Sequence, residues 1–227
     1  MKKFAVFVEG LTEQEFVTNL IKRHAGNKKL KVEIRSQHRG YLQLIGIYPG
    51  SEIAEWHVLI VNCNNDEQVK TQIIDNYDSL IAHGYQYIIG VKDVFPFKPH
   101  EVSRVRAAIS KGLPTGRVPI DMHLAVMEVE AWFIEEYTHF SRIHPSIDES
   151  VVRRFGFDRA VMKAEEIEHP ADLLHRIYQS SGLAYKKSKR HIARTINALD
   201  LDVIFGAARQ RSPSLDGFLQ SVEKATA

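Results

Sequence analysis

The chain has 227 residues, of which 44% are hydrophobic and 26% are charged. These proportions argue against extensive disorder, and the length predicts one domain with a sizeable core plus a smaller helical part. The formal net charge of +2 is too small to indicate a nucleic-acid partner by itself. The single cysteine, Cys63, excludes an intramolecular disulfide and a structural zinc site built from several cysteines.

The N-terminal segment bears on where the protein works. MKKFAVFVEG contains two lysines and a short apolar run, and Glu9 interrupts that run before the core of a signal peptide develops. No other stretch approaches the roughly 20 apolar residues of a membrane span. We therefore expect a cytoplasmic protein without a membrane partner.

The first elements are a strand, a tight turn and a helix. Residues 3–8 (KFAVFV) form a β-branched and aromatic run that predicts a buried strand ending at Glu9. Thr12 and Glu15 have the spacing of a capping box, which predicts that a helix follows at once.

Further strand and helix patterns alternate through the middle of the chain. Residues 30–48 predict a hairpin or a pair of edge strands, and the apolar run 57–63 predicts a strand buried on both faces. A helical stripe runs from Asp66 to His83, and YQYIIGVKD repeats the strand pattern up to Asp93.

The same alternation continues after Asp93. Pro96 and Pro99 predict a turn, a helix is expected from about Glu101, and residues 119–129 predict another strand before the helical start EAWFIEEY. Repeated strand-helix order predicts an α/β fold with a mostly parallel sheet covered by helices on both faces. In such sheets, functional sites gather beyond the carboxyl ends of the strands.

The chain from about residue 140 onward has no strand pattern. Four segments separated by Gly, Pro or Ser suit helices: SIDESVVRRFG, HPADLLHRIYQSSG, KRHIARTINAL and LDGFLQSVEKA. We therefore predict an α/β domain over residues 1–138 and a helical C-terminal region over residues 139–227 that packs on it.

Acidic residues stand where the predicted strands end. Glu9 follows the first strand, Asp93 follows YQYIIGVK, and Glu128 and Glu130 lie near the end of the strand over 119–129. Carboxylates that converge from different strands are suitable ligands for Mg²⁺ or Mn²⁺, and such an ion can polarise a phosphodiester and activate water. The alternative is that each carboxylate caps a helix or is merely solvated.

The densest basic cluster lies in the C-terminal region. A helix that starts near Ser188 would bring two arginines, four residues apart, to one face, where they suit phosphate oxygens. The alternative is a solvated helical face. The cluster consists of Lys186, Lys187, Lys189, Arg190 and Arg194.

Three short motifs resemble a known family. Residues 8–13, VEGLTE, resemble the EGxTE opening of a group of Toprim-like proteins that includes relatives of the RloB type and is related to the OLD-type nucleases. Glu130-Ala131-Trp132 is similar to the acid-x-Trp step that those proteins place after a later strand. Tyr185-Lys186-Lys187 resembles their YKK element.

The resemblance implies a Toprim fold, in which a glutamate after the first strand and an Asp-x-Asp after a later one organise metal and phosphate chemistry. Glu9 would then act as general acid/base or metal ligand, and Asp93 would be the first aspartate. The sequence departs from the pattern at Phe95, which stands where the second aspartate would be. Glu128 or Glu130 would supply the missing ligand, and Glu130 matches the family step.

We therefore expect a magnesium-dependent nuclease or phosphodiester-processing protein that acts on DNA or RNA. Glu9, Asp93 and Lys187 would be catalytic, the metal ligands would include Glu128 and Glu130, and Lys186 or Lys187 would contact phosphate. The resemblance also implies a partner ATPase in phage defence. The alternative is a non-catalytic nucleic-acid-binding or protein-interaction module on a Toprim scaffold that lost its metal chemistry at Phe95.

Overall fold

The computed structural model describes residues 1–38, 41–48, 54–64 and 68–227. The chain forms two compact units that alternate along the sequence. The first unit comprises residues 1–92, 104–124 and 220–227, and the second comprises residues 93–103 and 125–219. The predicted division into residues 1–138 and 139–227 stays a prediction.

A six-stranded sheet dominates the described part of the chain, with strand order β3-β2-β4-β1-β5-β6. β1 pairs in parallel with β4 and β5, β2 pairs in parallel with β4, and β2 pairs antiparallel with β3. The predicted α/β fold with a mostly parallel sheet is confirmed. The strands are β1 (Lys2–Val8), β2 (Leu30–His38), β3 (Tyr41–Tyr48), β4 (Trp56–Asn62), β5 (Tyr87–Asp93) and β6 (Ile120–Ala125).

Helices surround the sheet and make up the C-terminal region, as predicted. α8 begins directly after Ser188, where the sequence placed it. The helices are α1 (Leu11–Ala25), α2 (Gln68–Ala82), α3 (Val102–Ser110), α4 (Glu130–Glu135), α5 (His139–Ile143), α6 (Glu149–Arg154), α7 (Pro170–Gln179), α8 (Lys189–Ala198), α9 (Leu201–Val203), α10 (Arg209–Arg211) and α11 (Pro213–Thr226), with a π-helical turn at Ile204–Ala208. The predicted start of the second helix at Asp66 lies outside the described residues.

None of the helices in the described ranges has both the length and the apolar character of a membrane span.

The predicted capping box at the start of α1 is wrong by two residues. The helix begins at Leu11, with Gly10 as its N-cap, and the Glu13 carboxylate accepts a hydrogen bond from the Gly10 N–H at 2.9 Å. Thr12 therefore lies inside the first turn. A glutamate three residues after the N-cap satisfies that N–H whatever the N-cap residue is, so Glu13 defines the start of the helix.

The core of the first unit explains why β1 and β4 are almost continuously apolar. Phe7 and Val61 are buried in a cluster with Ile73 of α2 and Ile88 of β5. Strands that are covered on both faces expose no side to water, so apolar residues occupy successive positions. Cys63 belongs to this cluster, and burial, with a smaller contribution from the Glu9 charge, raises the pKa of its thiol to about 12.

β6 is shorter than the predicted strand over residues 119–129. It ends at Ala125. Met127 then adopts a φ of 65°, which lies in the left-handed region that residues other than glycine rarely occupy. A strand cannot continue through this conformation. The backbone turns at Met127 and enters α4 at Glu130.

Gly90 lies in β5 where a side chain has no room. A Cβ atom at this position would lie 2.3 Å from the Met122 sulfur and 2.9 Å from Cδ1 of Ile73. We expect Gly90→Ala to lower the free energy of unfolding by about 1–3 kcal/mol, since overpacking displaces neighbouring side chains. Urea unfolding measures the effect. At Gly46 in β3, a Cβ atom meets its nearest neighbour at 3.7 Å, so Gly46→Ala is the matched control. An equal effect of the two substitutions would contradict the packing described for β5.

Candidate metal centre

Three carboxylates converge in the second unit. Asp93, Glu128 and Glu130 each offer an oxygen atom, and these oxygens all lie within 4.8 Å of one another. All three side chains are buried. Asp93 is the last residue of β5, Glu128 lies in the turn after β6, and Glu130 is the first residue of α4. The structure thus brings together three of the four acids that the sequence placed near strand ends.

Backbone hydrogen bonds hold these segments in register. The Val94 N–H donates to the Ala125 carbonyl at 3.0 Å, and the Phe95 N–H donates to the Met127 carbonyl at 2.8 Å. The Val129 N–H then donates to Oδ1 of Asp93 at 3.0 Å. The chain after β5 therefore runs beside the chain after β6, and a backbone amide fixes the Asp93 carboxylate.

The left-handed conformation of Met127 lies directly before Glu128. Such a conformation costs a residue with a side chain about 1–3 kcal/mol and persists only where the surrounding structure enforces it. Met127 is buried, and its carbonyl is held by Phe95. Because the backbone turns at Met127, Glu128 does not continue along β6 and instead lies next to Asp93.

Lys187 supplies a positive charge to the carboxylates. Its Nζ atom lies 3.0 Å from Oε1 of Glu128 and 3.6 Å from Oε1 of Glu130. Burial of the ammonium group opposes its charged form. The negative charges of Glu130, Glu128 and Asp93 outweigh burial, so the pKa of Lys187 is raised above its ordinary value. Lys187 is therefore a cation at any physiological pH.

Two further donors orient the glutamates. The Tyr185 hydroxyl donates to Oε1 of Glu130 at 2.7 Å, and the Ala171 N–H, in the first turn of α7, donates to Oε2 of Glu128 at 2.9 Å. In the sequence, Tyr185 stands out only as part of the YKK motif, and Ala171 does not stand out at all. A backbone donor leaves no side-chain signal, but Pro170 marks a helix N-terminus, where free N–H groups face acids.

The donor set fits a hard divalent cation. With all groups charged, three carboxylates and one ammonium carry a formal charge of −2, and buried net charge is costly unless it is neutralised. Mg²⁺ and Mn²⁺ prefer carboxylate and water oxygens over nitrogen or sulfur ligands. Asp93, Glu128 and Glu130 are the residues that would hold such an ion.

A cavity of about 400 Å³ opens beside Glu128 and Lys187. One wall is aromatic, because Phe95 and His169 meet edge to face with ring centroids 5.6 Å apart. The His175 Nδ1 atom accepts a hydrogen bond from the Tyr185 N–H at 3.2 Å. The cavity is lined by Phe95, Glu128, His169, Ala171, Asp172, His175, Tyr185, Lys186 and Lys187.

Glu9 belongs to the first unit. It directly follows β1, is buried, and its Oε1 atom lies 3.1 Å from Nζ of Lys92. The ion pair explains how a charged side chain is tolerated at the end of a buried strand. The expectation that Glu9 takes part in catalysis or metal binding stays a prediction.

The members of the predicted basic cluster have different surroundings. Lys187 contacts the acids, and Lys186 lines the cavity. Lys189 and Arg190 are exposed in the first turn of α8. The Arg194 guanidinium lies over the Tyr178 ring, 5.5 Å from its centroid, and donates to the Ala184 carbonyl. Binding of phosphate by these five residues stays a prediction.

The fold and the site together define an α/β protein with three buried carboxylates, of which Glu128 and Glu130 lie within ion-pair distance of one lysine, Lys187. The family model described as "Domain of unknown function (DUF4276)" matches residues 8–223, and the chain therefore belongs to this family. No curated protein and no solved structure matches the chain.

Removing the Tyr185 hydroxyl leaves a buried carboxylate with one donor fewer. We expect Tyr185→Phe to lower the free energy of unfolding by about 1–3 kcal/mol, because the Glu130 oxygen loses a hydrogen bond that water cannot replace. Chemical denaturation measures the change. Tyr137→Phe is the control, since the Tyr137 side chain is 40% exposed. Equal changes for the two variants would show that the bond to Glu130 is not stabilising.

Proposed function

We propose that the chain is a Toprim-like, magnesium-dependent nuclease or phosphodiester-processing protein that acts on nucleic acid. The observation that carries the proposal is the convergence of Asp93, Glu128 and Glu130, whose oxygens lie within 4.8 Å of one another next to an open cavity. In this proposal Glu128 and Glu130 together replace the acid that the Toprim resemblance expects at Phe95.

Each residue of the centre has a role in the proposal. Asp93, Glu128 and Glu130 would hold Mg²⁺ or Mn²⁺, and the Tyr185 hydroxyl orients Glu130. When bound, the ion would polarise the phosphodiester and activate water. The Lys187 ammonium, 3.0 Å from Glu128 at the cavity, stabilises negative charge on phosphate oxygens.

Glu9 enters the proposal through the Toprim resemblance. Its place after β1 is where that resemblance expects a general acid/base or a further metal ligand. The Lys92 ammonium places a positive charge 3.1 Å from this carboxylate.

The biological setting is proposed on the same resemblance. A cytoplasmic protein of this kind would act in phage defence beside a partner ATPase. Lys186, Lys189 and Arg190 would contact the nucleic-acid backbone, and the contribution of such contacts falls as salt concentration rises. Arg194 is the weakest of the phosphate candidates, since its guanidinium is already engaged by Ala184 and Tyr178.

One observation favours a second candidate function, a non-catalytic nucleic-acid-binding or interaction module. The Lys187 ammonium lies within 3.6 Å of both Glu128 and Glu130, and it offsets part of their charge without a metal. An ion pair of this kind also occurs in purely structural settings. The two functions differ in whether the centre binds a divalent ion at all.

Calorimetric titration with Mg²⁺ and Mn²⁺ separates the two functions. We expect the wild-type chain to bind at millimolar or lower ion concentration, and Glu128→Gln to weaken binding about 10-fold or more, because an anionic ligand becomes a neutral one. Glu166→Gln removes an equal charge from an exposed glutamate of the second unit and serves as the control. Absence of binding by the wild type would refute the metal centre and leave the non-catalytic module.

Cleavage of DNA and RNA with either ion, measured on the same variants and on Glu9→Gln, then tests the catalytic part. We expect Glu128→Gln and Glu9→Gln to lose activity that Glu166→Gln retains. A wild-type chain that binds metal yet cleaves no substrate, alone or with an ATPase partner, would contradict the nuclease.

A further inference from the structure

We propose that the cavity beside the carboxylate centre binds one unpaired nucleotide, so that the substrate is single-stranded nucleic acid or a single-stranded end. The base would stack on the wall formed by Phe95 and His169, and its phosphate would face Lys186 and Lys187. This inference rests on the proposed function and adds the substrate class to it.

The first observation is the exposure of Phe95. Its side chain is 39% exposed, although it lies one residue after the fully buried Val94. Aromatic surface that is left in water is unfavourable. Phe95 contributes this surface to the cavity rather than to the core, and its ring meets the His169 ring edge to face.

The second observation is the arrangement of charge around that aromatic wall. Lys186 and Lys187 line the same cavity, and Glu128 connects it to the carboxylate centre. A nucleotide has an uncharged aromatic part and an anionic part. The cavity presents an aromatic surface for the first and ammonium groups for the second, next to the place where an ion would meet a phosphodiester.

The size of the cavity limits what it can hold. Its volume of about 400 Å³ falls at the lower end of the range of about 300–1,000 Å³ seen for small-molecule pockets. A single nucleotide matches this space, whereas a double helix does not enter it.

Stacking on an aromatic side chain also requires a free base. In a duplex both faces of each base are covered by its neighbours, so Phe95 reaches a base only where the strand is unpaired or the base is flipped out. Stacking of this kind contributes about 1–3 kcal/mol per base and tolerates any sequence. The cavity therefore selects for single-stranded character and not for a sequence.

Fluorescence anisotropy with short labelled oligothymidylate and oligouridylate, in the presence of Mg²⁺, tests the inference. We expect the wild-type chain to bind these probes more tightly than a duplex of the same length. Phe95→Ala should weaken single-strand binding about 5- to 150-fold, which corresponds to the loss of one stacked base. Phe95→Trp should keep the single-strand affinity of the wild type, because the larger ring still stacks on a base. The probe's length is checked on a denaturing gel after each titration.

Phe97→Ala is the matched control. Phe97 lies two residues away in the same segment and is 36% exposed, but it is not among the residues that line the cavity. We expect this variant to bind the single-stranded probes as the wild type does.

Two outcomes would overturn the inference while the proposed function stands. In the first, a chain that still binds metal binds the duplex more tightly than the single strand. In the second, Phe95→Ala binds the single strand as tightly as the wild type does. A chain that binds neither metal nor any oligonucleotide would overturn the proposed function as well. The calorimetric titration of Mg²⁺ distinguishes these cases.

Discussion

Repulsion between buried carboxylates is the constraint that shapes the second unit. Asp93, Glu128 and Glu130 approach within 4.8 Å, and two like charges at that distance repel by about 3 kcal/mol at an effective dielectric constant of about 20. The surrounding structure opposes this repulsion with the Lys187 ammonium and with hydrogen bonds from Tyr185 and two backbone amides. The strained turn at Met127 places Glu128 beside Asp93, and the Lys187 ammonium, on a side chain that is 47% exposed, offsets part of the negative charge that results.

The architecture could be predicted from the sequence because its elements carry local signals. The continuous apolar runs of β1 and β4 indicate strands covered on both faces, and strand-helix alternation then favours a parallel sheet. The predicted bounds of α1 and β6 were wrong because a single residue determines where each of them begins or ends. Glu13 caps α1 in place of the predicted Thr12–Glu15 pair, and the conformation of Met127 ends β6 early. Backbone conformation at a single methionine has no periodic signature.

The candidate site could be predicted only in part, because convergence is a property of the fold. The residues Asp93, Glu128 and Glu130 were chosen for their places near strand ends, and the structure brings them together. Sequence spacing gave no measure of that distance. The amide of Ala171 could not be predicted as a hydrogen-bond donor to Glu128. In the sequence, Phe95 stands where the resemblance expects an aspartate, and in the structure it lines the cavity.

The most direct test of the account is the position of Mn²⁺ in crystals of the wild-type chain, located by its anomalous scattering. We expect a peak between Asp93, Glu128 and Glu130, with a carboxylate oxygen of each at about 2.0–2.3 Å, the range of oxygen ligands to hard divalent ions. A map without a peak there, in which Nζ of Lys187 keeps its contacts with both glutamates, would contradict the account and identify the cluster as a structural ion pair.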